Sequence, residues 1–349
     1  MKFLKLRKSG GNVLNLQTMK TIRWGILGAG RIARKFASDL KLVEDAELIA
    51  IGSRSQQSAD DFGDEFGLKY RHNSYEALVS NPEVDVIYIA TPHNLHCENT
   101  LLCLEQRKAV LCEKPFAMNA RQTQIMIDKA REKNVFLMEA LWTKFHPHYL
   151  KTIDMVKGGL LGDIRSVLIN FGFKPVPPVP ARLFDPALGG GTVMDIGIYN
   201  VFMAMSVLGK PDTIEASMTP APTGVDEQCA ILFKYNNGAI AQLFSTFSAN
   251  LATEADIAGT DGRIHLTSRF YEPSATVEYY AKYPDSRQVI PVEKEAGFGY
   301  QYEARHVNDC LKRGLAESDV LTFADTLLLM ETLDKIREIA GIRYATDGN

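Results

Sequence analysis

No run of apolar residues in this 349-residue chain approaches the ~20 that a helix needs to cross a bilayer. A membrane span is therefore not expected. The five cysteines (Cys97, Cys103, Cys112, Cys229 and Cys310) are odd in number, scattered and free of any C-x-x-C pair, which argues against a disulfide framework or a structural zinc site. A reducing, cytoplasmic setting is expected. Excess basic charge is missing too: the formal net charge is -3, so no broad positive field is offered to nucleic acid. Internal repeats and low-complexity tracts are absent, and the proline-rich stretch 175–186 is the single irregular segment. The opening MKFLKLRKSGGNVLNLQ is basic, but Lys5 and Arg7 break its apolar residues, so it lacks the core of an export signal. Residues 1–19 are expected to be a flexible extension.

What is present begins at Trp24-Gly25-Ile26-Leu27-Gly28-Ala29-Gly30-Arg31-Ile32-Ala33, where an apolar strand empties into a G-x-G-x-x-A turn and an amphipathic helix. That context marks a dinucleotide site. Gly28 permits the tight turn, Gly30 lets backbone approach a pyrophosphate, and small Ala33 lets helix pack on strand. The phosphates then meet free N–H groups at a helix N-terminus, with Gly28, Ala29, Gly30, Arg31 and Ile32 in contact. The second strand, 47–52, ends in Ser53-Arg54-Ser55 with no carboxylate to hold both ribose hydroxyls. A short hydroxyl at Ser53 and a planar guanidinium at Arg54 suit a 2′-phosphate, so NADP(H) is expected over NAD(H). The alternative is that Ser53 or Ser55 caps the next helix while Arg54 is solvated.

With 46% hydrophobic residues the chain can bury a large core, and its texture divides it in two. Over 20–140, strands at 23–27, 47–51, 84–90, 109–112 and 135–138 alternate with helical patterns, the signature of a doubly wound parallel sheet, here a Rossmann domain. Over 141–349 a helix (148–157) and a long strand (164–173) precede a series of short strands. Turn signals at Asn236-Asn237-Gly238 and Thr260-Asp261-Gly262 predict hairpins, hence an α/β domain with a large, mostly antiparallel open sheet.

An oxidoreductase using a nicotinamide needs a proton donor or acceptor beside the carbon that exchanges hydride, beyond the carboxyl ends of the strands. Glu113-Lys114-Pro115 follows a strand at such an edge. Gly189-Gly190-Gly191 delivers a helix whose Asp195 and Tyr199 stand at i and i+4, on one face. Each has a plain alternative: a surface lysine at a strand end, and an aspartate near a helix start with a core tyrosine. His93, His96, His146 and His148 lack a completing Cys or carboxylate, so no metal is expected.

Taken together, GILGAGRIA, Thr91 to His96 (TPHNLH), Glu113 to Pro115 (EKP), Met138 to Pro147 (MEALWTKFHP) and Leu188 to Tyr199 (LGGGTVMDIGIY) resemble the Gfo/Idh/MocA oxidoreductase family. EALW followed by KFHP, with Tyr four residues after the aspartate, is similar to its dimeric dihydrodiol dehydrogenases and NADP-dependent D-xylose dehydrogenases. The resemblance implies that Lys114 is the active-site lysine, often before a cis proline, that Tyr199 is the general acid/base, and that Asp195 is its polar neighbour. It implies cofactor contacts at Thr91, Pro92, His93, His96, Glu113 and Lys114. Hydride would pass between the nicotinamide and a secondary alcohol or hemiacetal carbon of a sugar, cyclic polyol or trans-dihydrodiol, with the Lys114 ammonium lowering the tyrosine pKa. Read from the residues themselves, Trp142 and Phe145 either wall a sugar or diol ring or pack in the core, and Arg182 and Phe184 in the proline-rich segment either reach substrate or belong to a rigid connector. A homodimer through the C-terminal sheet is implied. His93 stands where many relatives place Asn, and Tyr199 where many place His. The rival readings are a catalytically silent NAD(P)-sensing protein on the same fold, or a glycosidase-like relative with recycled NAD.

Overall fold

The computed structural model describes residues 21–281 and 286–348, so the expected extension over 1–19 lies outside the described residues. The first half alternates strand and helix: β1 (Ile22–Leu27), α1 (Arg31–Leu40), β2 (Ala46–Gly52), α2 (Gln56–Phe66), β3 (Tyr70–His72), α3 (Tyr75–Val79), β4 (Val86–Ile89), α4 (His96–Glu105), β5 (Ala109–Glu113), α5 (Ala120–Lys133) and β6 (Leu137–Ala140). All six strands pair in parallel in the order β3-β2-β1-β4-β5-β6. Because successive side chains point to opposite faces, Trp24 and Ile26 pack with Phe36 of α1 and Phe62 of α2. Leu27, Ile87 and Ile89 pack on the other side with Leu104 of α4 and Met126 of α5. β3 was not expected from the sequence, since three half-buried residues carry no period of their own.

The second half continues with α6 (Pro147–Lys157), β7 (Ile164–Gly172), α7 (Ile198–Leu208), β8 (Thr213–Pro220), β9 (Asp226–Lys234), β10 (Ile240–Thr246), β11 (Ala255–Gly259), β12 (Arg263–Leu266), β13 (Val277–Tyr280), β14 (Arg287–Ile290), α8 (Tyr300–Lys312) and α9 (Phe323–Ala340). Its eight strands lie in the order β14-β13-β12-β11-β7-β10-β9-β8, antiparallel except for the central β7–β10 pair. The expected hairpins join β9 to β10 and β11 to β12, and Gly238 takes φ +83, a conformation that glycine adopts without strain. The fold is α/β with a Rossmann-like sheet and a large, mostly antiparallel second sheet.

One expectation is corrected. The helical stretch Pro186–Leu208 is long and apolar enough to cross a membrane by length and composition alone, with mean hydropathy 1.4. It is 78% buried as the core helix behind the second sheet, packed against β7, β10 and α9.

The two halves are tied by polar contacts. Asp39 of α1 accepts the N–H groups of Phe298, Gly299 and Tyr300 at 2.8–2.9 Å, capping α8, whose own N-cap is the glycine Gly299. Trp24 donates its indole N–H to Asn308 of α8 at 3.0 Å.

Candidate active site

The strand ends of the first sheet set the site. β5 terminates at Glu113, buried, which accepts a short hydrogen bond from the Tyr88 hydroxyl and the N–H of Lys114 at 3.1 Å. Burial pushes Glu113 above the usual carboxyl range, while neighbouring Lys114 pulls it down. The Lys114–Pro115 bond is cis. Just beyond it, Glu139 of β6 accepts the Phe116 N–H at 3.2 Å and the Thr326 hydroxyl at 3.0 Å, fixing the loop that carries Lys114.

Burial raises Glu139 to about 7, against an ordinary carboxyl near 4.5. The folded state therefore holds its proton more tightly than the unfolded chain. The stability this confers is complete below the ordinary carboxyl pKa and is lost as pH rises through about 7. Urea unfolding of the wild type should lose on the order of 2–3 kcal/mol of this contribution over that window, and Glu139→Gln should flatten the profile there. Parallel profiles would remove Glu139 from the account.

The glycine loop brings the opposing groups. Gly191 has φ +114, and a Cβ there would lie 2.1 Å from Asp226 Oδ1. Only glycine fits. Asp226 accepts the Thr192 hydroxyl and the Val193 N–H, both at 2.7 Å, and the Tyr344 hydroxyl donates to Gly190 O at 2.6 Å. The chain then makes one wide π turn, Val193–Gly197, before α7. This corrects the expected regular helix: Asp195 sits in the π turn and Tyr199 in the first turn of α7, so the simple i, i+4 face does not apply.

Lys114, Asp195 and Tyr199 nevertheless meet. Lys114 Nζ donates to the Asp195 backbone oxygen at 2.7 Å and lies 3.7 Å from Oδ1, with the Arg182 guanidinium 3.0 Å from the same Oδ1. Burial alone would raise Asp195, but Lys114 and Arg182 outweigh it and hold the carboxyl at about 2. It is an ionised group between two cations. His93, whose Nδ1 lies 3.3 Å from Gly189 O, is pushed down to about 3 by burial and stays neutral.

Tyr199 departs from expectation. The Lys114 ammonium sits over the face of its ring, 4.8 Å from the centroid, and the hydroxyl instead meets the Trp142 indole N–H at 2.9 Å. Burial pushes the phenol well above its ordinary value, and Glu113, Tyr271 and Asp195 push it further, with Trp142 acting in the opposite direction. The expected lowering by Lys114 is replaced by a raised pKa eased by an indole.

Other expected residues scatter. His96 is enclosed, with its two ring nitrogens against Pro115 O (2.8 Å) and Thr91 O (2.9 Å), so it braces the two strand-end loops. Pro92 caps the short turn that precedes it. Phe145 lies tilted against His306 at 4.9 Å, and Phe184 packs edge-on to Phe247 at 5.6 Å. Residues that sequence reasoning missed are Tyr271, 4.9 Å from the Tyr199 ring and stacked on Phe171, and Tyr300, stacked on Trp142 at 4.5 Å. Tyr271 lies in an irregular stretch after β12, where no spacing could flag it.

Residues 22–141 match the model of the GFO/IDH/MocA oxidoreductase family with its NAD-binding Rossmann fold, and 149–265 match the C-terminal domain of that family. The chain belongs to the Gfo/Idh/MocA oxidoreductase family. Relatives include the trans-1,2-dihydrobenzene-1,2-diol dehydrogenases of Xenopus tropicalis and Mus musculus. Each is 35% identical to it, over 328 residues (92% of this chain, 99% of the relative) and 332 residues (93% and 99%) respectively. A 3-ketoreductase from Actinomadura kijaniata, solved with NADP and TDP-benzene, has a TM-score of 0.82 at 27% identity, covering 92% of this chain and 98% of that one. An aldose-aldose oxidoreductase from Caulobacter crescentus shares the fold with a TM-score of 0.84 at 24% identity, over 92% and 98%. This family member is an NAD(P)-dependent dehydrogenase acting on CH–OH groups.

Its first turn fits the dinucleotide. At Gly28 (φ +102) a Cβ would stand 3.0 Å from Ala90 O, whereas at Gly30, the N-cap of α1, it would meet nothing within 4 Å. No side chain caps that helix and its first turn has no acidic residue, so the N–H groups of Arg31 and Ile32 face open space suited to a pyrophosphate. Ser55 caps α2 through Ser58 N, so the capping alternative holds for Ser55; Ser53 is buried at the strand end, and Arg54 is exposed near Tyr75.

Proposed function

We propose that this family member uses NADP(H) to interconvert a secondary alcohol and its carbonyl on a trans-dihydrodiol, sugar or cyclic polyol. The observation that carries this is the meeting of the Lys114 ammonium, the Asp195 carboxylate and the Tyr199 ring beyond β5, at the carboxyl edge that also holds the dinucleotide turn. The bound nicotinamide supplies or accepts hydride at C4. Tyr199 handles the proton: its phenolic proton passes to the carbonyl oxygen in reduction, leaving phenolate, and that phenolate takes the alcohol proton in oxidation. Indole N–H is donor only, so the Tyr199 oxygen accepts from Trp142 and the phenolic proton points elsewhere. Asp195 and its backbone oxygen hold the ammonium, and Trp142, Phe171 and Tyr271 supply aromatic surface suited to a ring-shaped substrate. The names of the relatives as dihydrodiol dehydrogenases support the diol within this range.

A screen for NADPH formation over trans-dihydrodiols, aldoses, inositols and anhydro-sugars tests the reading. Turnover of at least one class is expected; NADPH binding with no turnover of any would favour the silent sensor. For the cofactor, Arg54→Ala should weaken NADP(H) by ~1.5–3 kcal/mol, the range for hydrogen bonds to charge, and leave NAD(H) nearly unchanged. Equal loss for both would sink the 2′-phosphate role.

Dimerisation is proposed through the outer face of the second sheet. Leu168, Ile240, Ala230, Leu232 and Phe244 face outward there, with Leu168 and Ile240 about 40% exposed, and no described helix covers them. Light scattering at micromolar concentration should give two chains, and Leu168→Glu with Ile240→Lys should give one. A monomeric wild type would refute the contact. Five free cysteines fit the proposed cytoplasmic setting.

A further inference from the structure

A second cluster of reactive side chains lies on α8 and the segment after it, apart from Lys114, Asp195 and Tyr199. His306 and Cys310 stand one helical turn apart on the same face, with His306 Nε2 3.3 Å from Cys310 Sγ. Asp319 brings Oδ1 to 3.9 Å from the same nitrogen, and the three atoms all lie within 4.8 Å of one another. Zinc bonded to nitrogen and oxygen at ~2.0–2.2 Å and to sulfur at ~2.3 Å holds tetrahedral ligand atoms about 3.4–3.6 Å apart. The observed separations bracket that spacing. Movement of the half-exposed Asp319 side chain toward α8 closes the difference.

The surroundings prepare the imidazole. Ser318 Oγ accepts the N–H groups of Val320 (3.0 Å) and Leu321 (2.9 Å) and lies 2.7 Å from His306 Nε2, so its own O–H points at that nitrogen. The single Nε2 lone pair is thereby held by the Ser318 O–H, which a metal displaces as it binds that nitrogen. Arg313 holds Asp319 Oδ2 at 2.6 Å, which leaves Oδ1 turned to the cluster. The ring of His306 packs on Phe145, in the same turn as Trp142, so the cluster lies one packing layer from the active site.

We propose that His306, Cys310 and Asp319 form a binding site for a thiophilic divalent cation of the zinc class, with water or the Ser318 hydroxyl in the fourth position. Binding breaks the Cys310 S–H bond, sends that proton to solvent and forms the metal–sulfur bond, with no change of oxidation state. This departs from the expectation of no metal. That expectation weighed His93, His96, His146 and His148, and the carboxylate here comes from nine residues beyond the cysteine, where spacing gave no signal.

The test adds Co2+ to the metal-stripped full-length protein. One equivalent should give a sulfur-to-cobalt charge-transfer band with visible d–d bands, both displaced by Zn2+, and should release a proton. Zn2+ should also raise the thermal midpoint. Cys310→Ser should abolish the charge-transfer band, and Asp319→Asn should weaken binding by about tenfold or more while leaving NADPH-linked turnover unchanged. No band in the wild type, or the same band in Cys310→Ser, would overturn the site. Should Cys310→Ser fail to fold, undiminished cobalt binding in both His306→Gln and Asp319→Asn would overturn it equally.

Discussion

Tyr199→Phe is expected to cut turnover by ~10²–10⁴-fold, the range for a lost general acid/base, while NADP(H) affinity changes little. The ring packs against Phe171, Tyr271 and the Lys114 ammonium through its face and edge, and phenylalanine keeps all of these. Only the hydroxyl is lost. Its removal leaves the Trp142 indole N–H without an acceptor, which costs stability by about 1–3 kcal/mol and is measured separately by urea unfolding. Steady-state rates at saturating substrate check the outcome. Near wild-type turnover would transfer the proton role to Lys114 or to water and leave Tyr199 as part of the aromatic wall.

Much of the fold was legible because its signals are local and repeated. Strands β1, β2, β5 and β7 carry apolar runs bounded by turns, and Gly238 and Gly262 mark the two hairpins that fix the register of the second sheet. The meeting of Lys114 with Asp195 was legible as a family pattern, and the structure shows its physical basis: a strand end facing a glycine loop pinned by Asp226 and Tyr344. What stayed hidden is what depends on contact between distant segments. The π turn at Val193–Gly197 has no composition that separates it from an α-helix, Tyr271 arrives from an irregular stretch, and the partner of the Tyr199 hydroxyl comes from residue 142. For Trp142 the sequence showed the area of an indole and not the partner of its single donor, the Tyr199 oxygen. Phe145, three residues on, turns toward α8 and joins the core with His306.

That donor leads to the second large effect, a separation between Lys114 and Trp142. Lys114→Met removes the ammonium that bonds the Asp195 backbone oxygen and lies over the Tyr199 ring, and should lower turnover by ~10²–10³-fold, as loss of a preorganised electrostatic group does. Asp195 then loses one of the two cations that hold it at about 2, and its carboxyl should rise toward the ordinary range with Arg182 still in place. The pH at which oxidation reaches its alkaline plateau should move little, because the ammonium lies over the ring and not at the oxygen. Trp142→Phe has the opposite signature. The indole N–H donates to the Tyr199 oxygen and is worth ~1.5–3 kcal/mol more to a phenolate than to nothing, so its loss should shift the alkaline limb upward by about one to two pH units. The sign is fixed: a donor to the oxygen favours the charged form, so its removal raises a phenol that burial has already raised. Plateau turnover should fall far less than in Lys114→Met. If instead Lys114→Met moves the limb and Trp142→Phe leaves it in place, the ammonium sets the tyrosine's ionisation during turnover and the indole only packs.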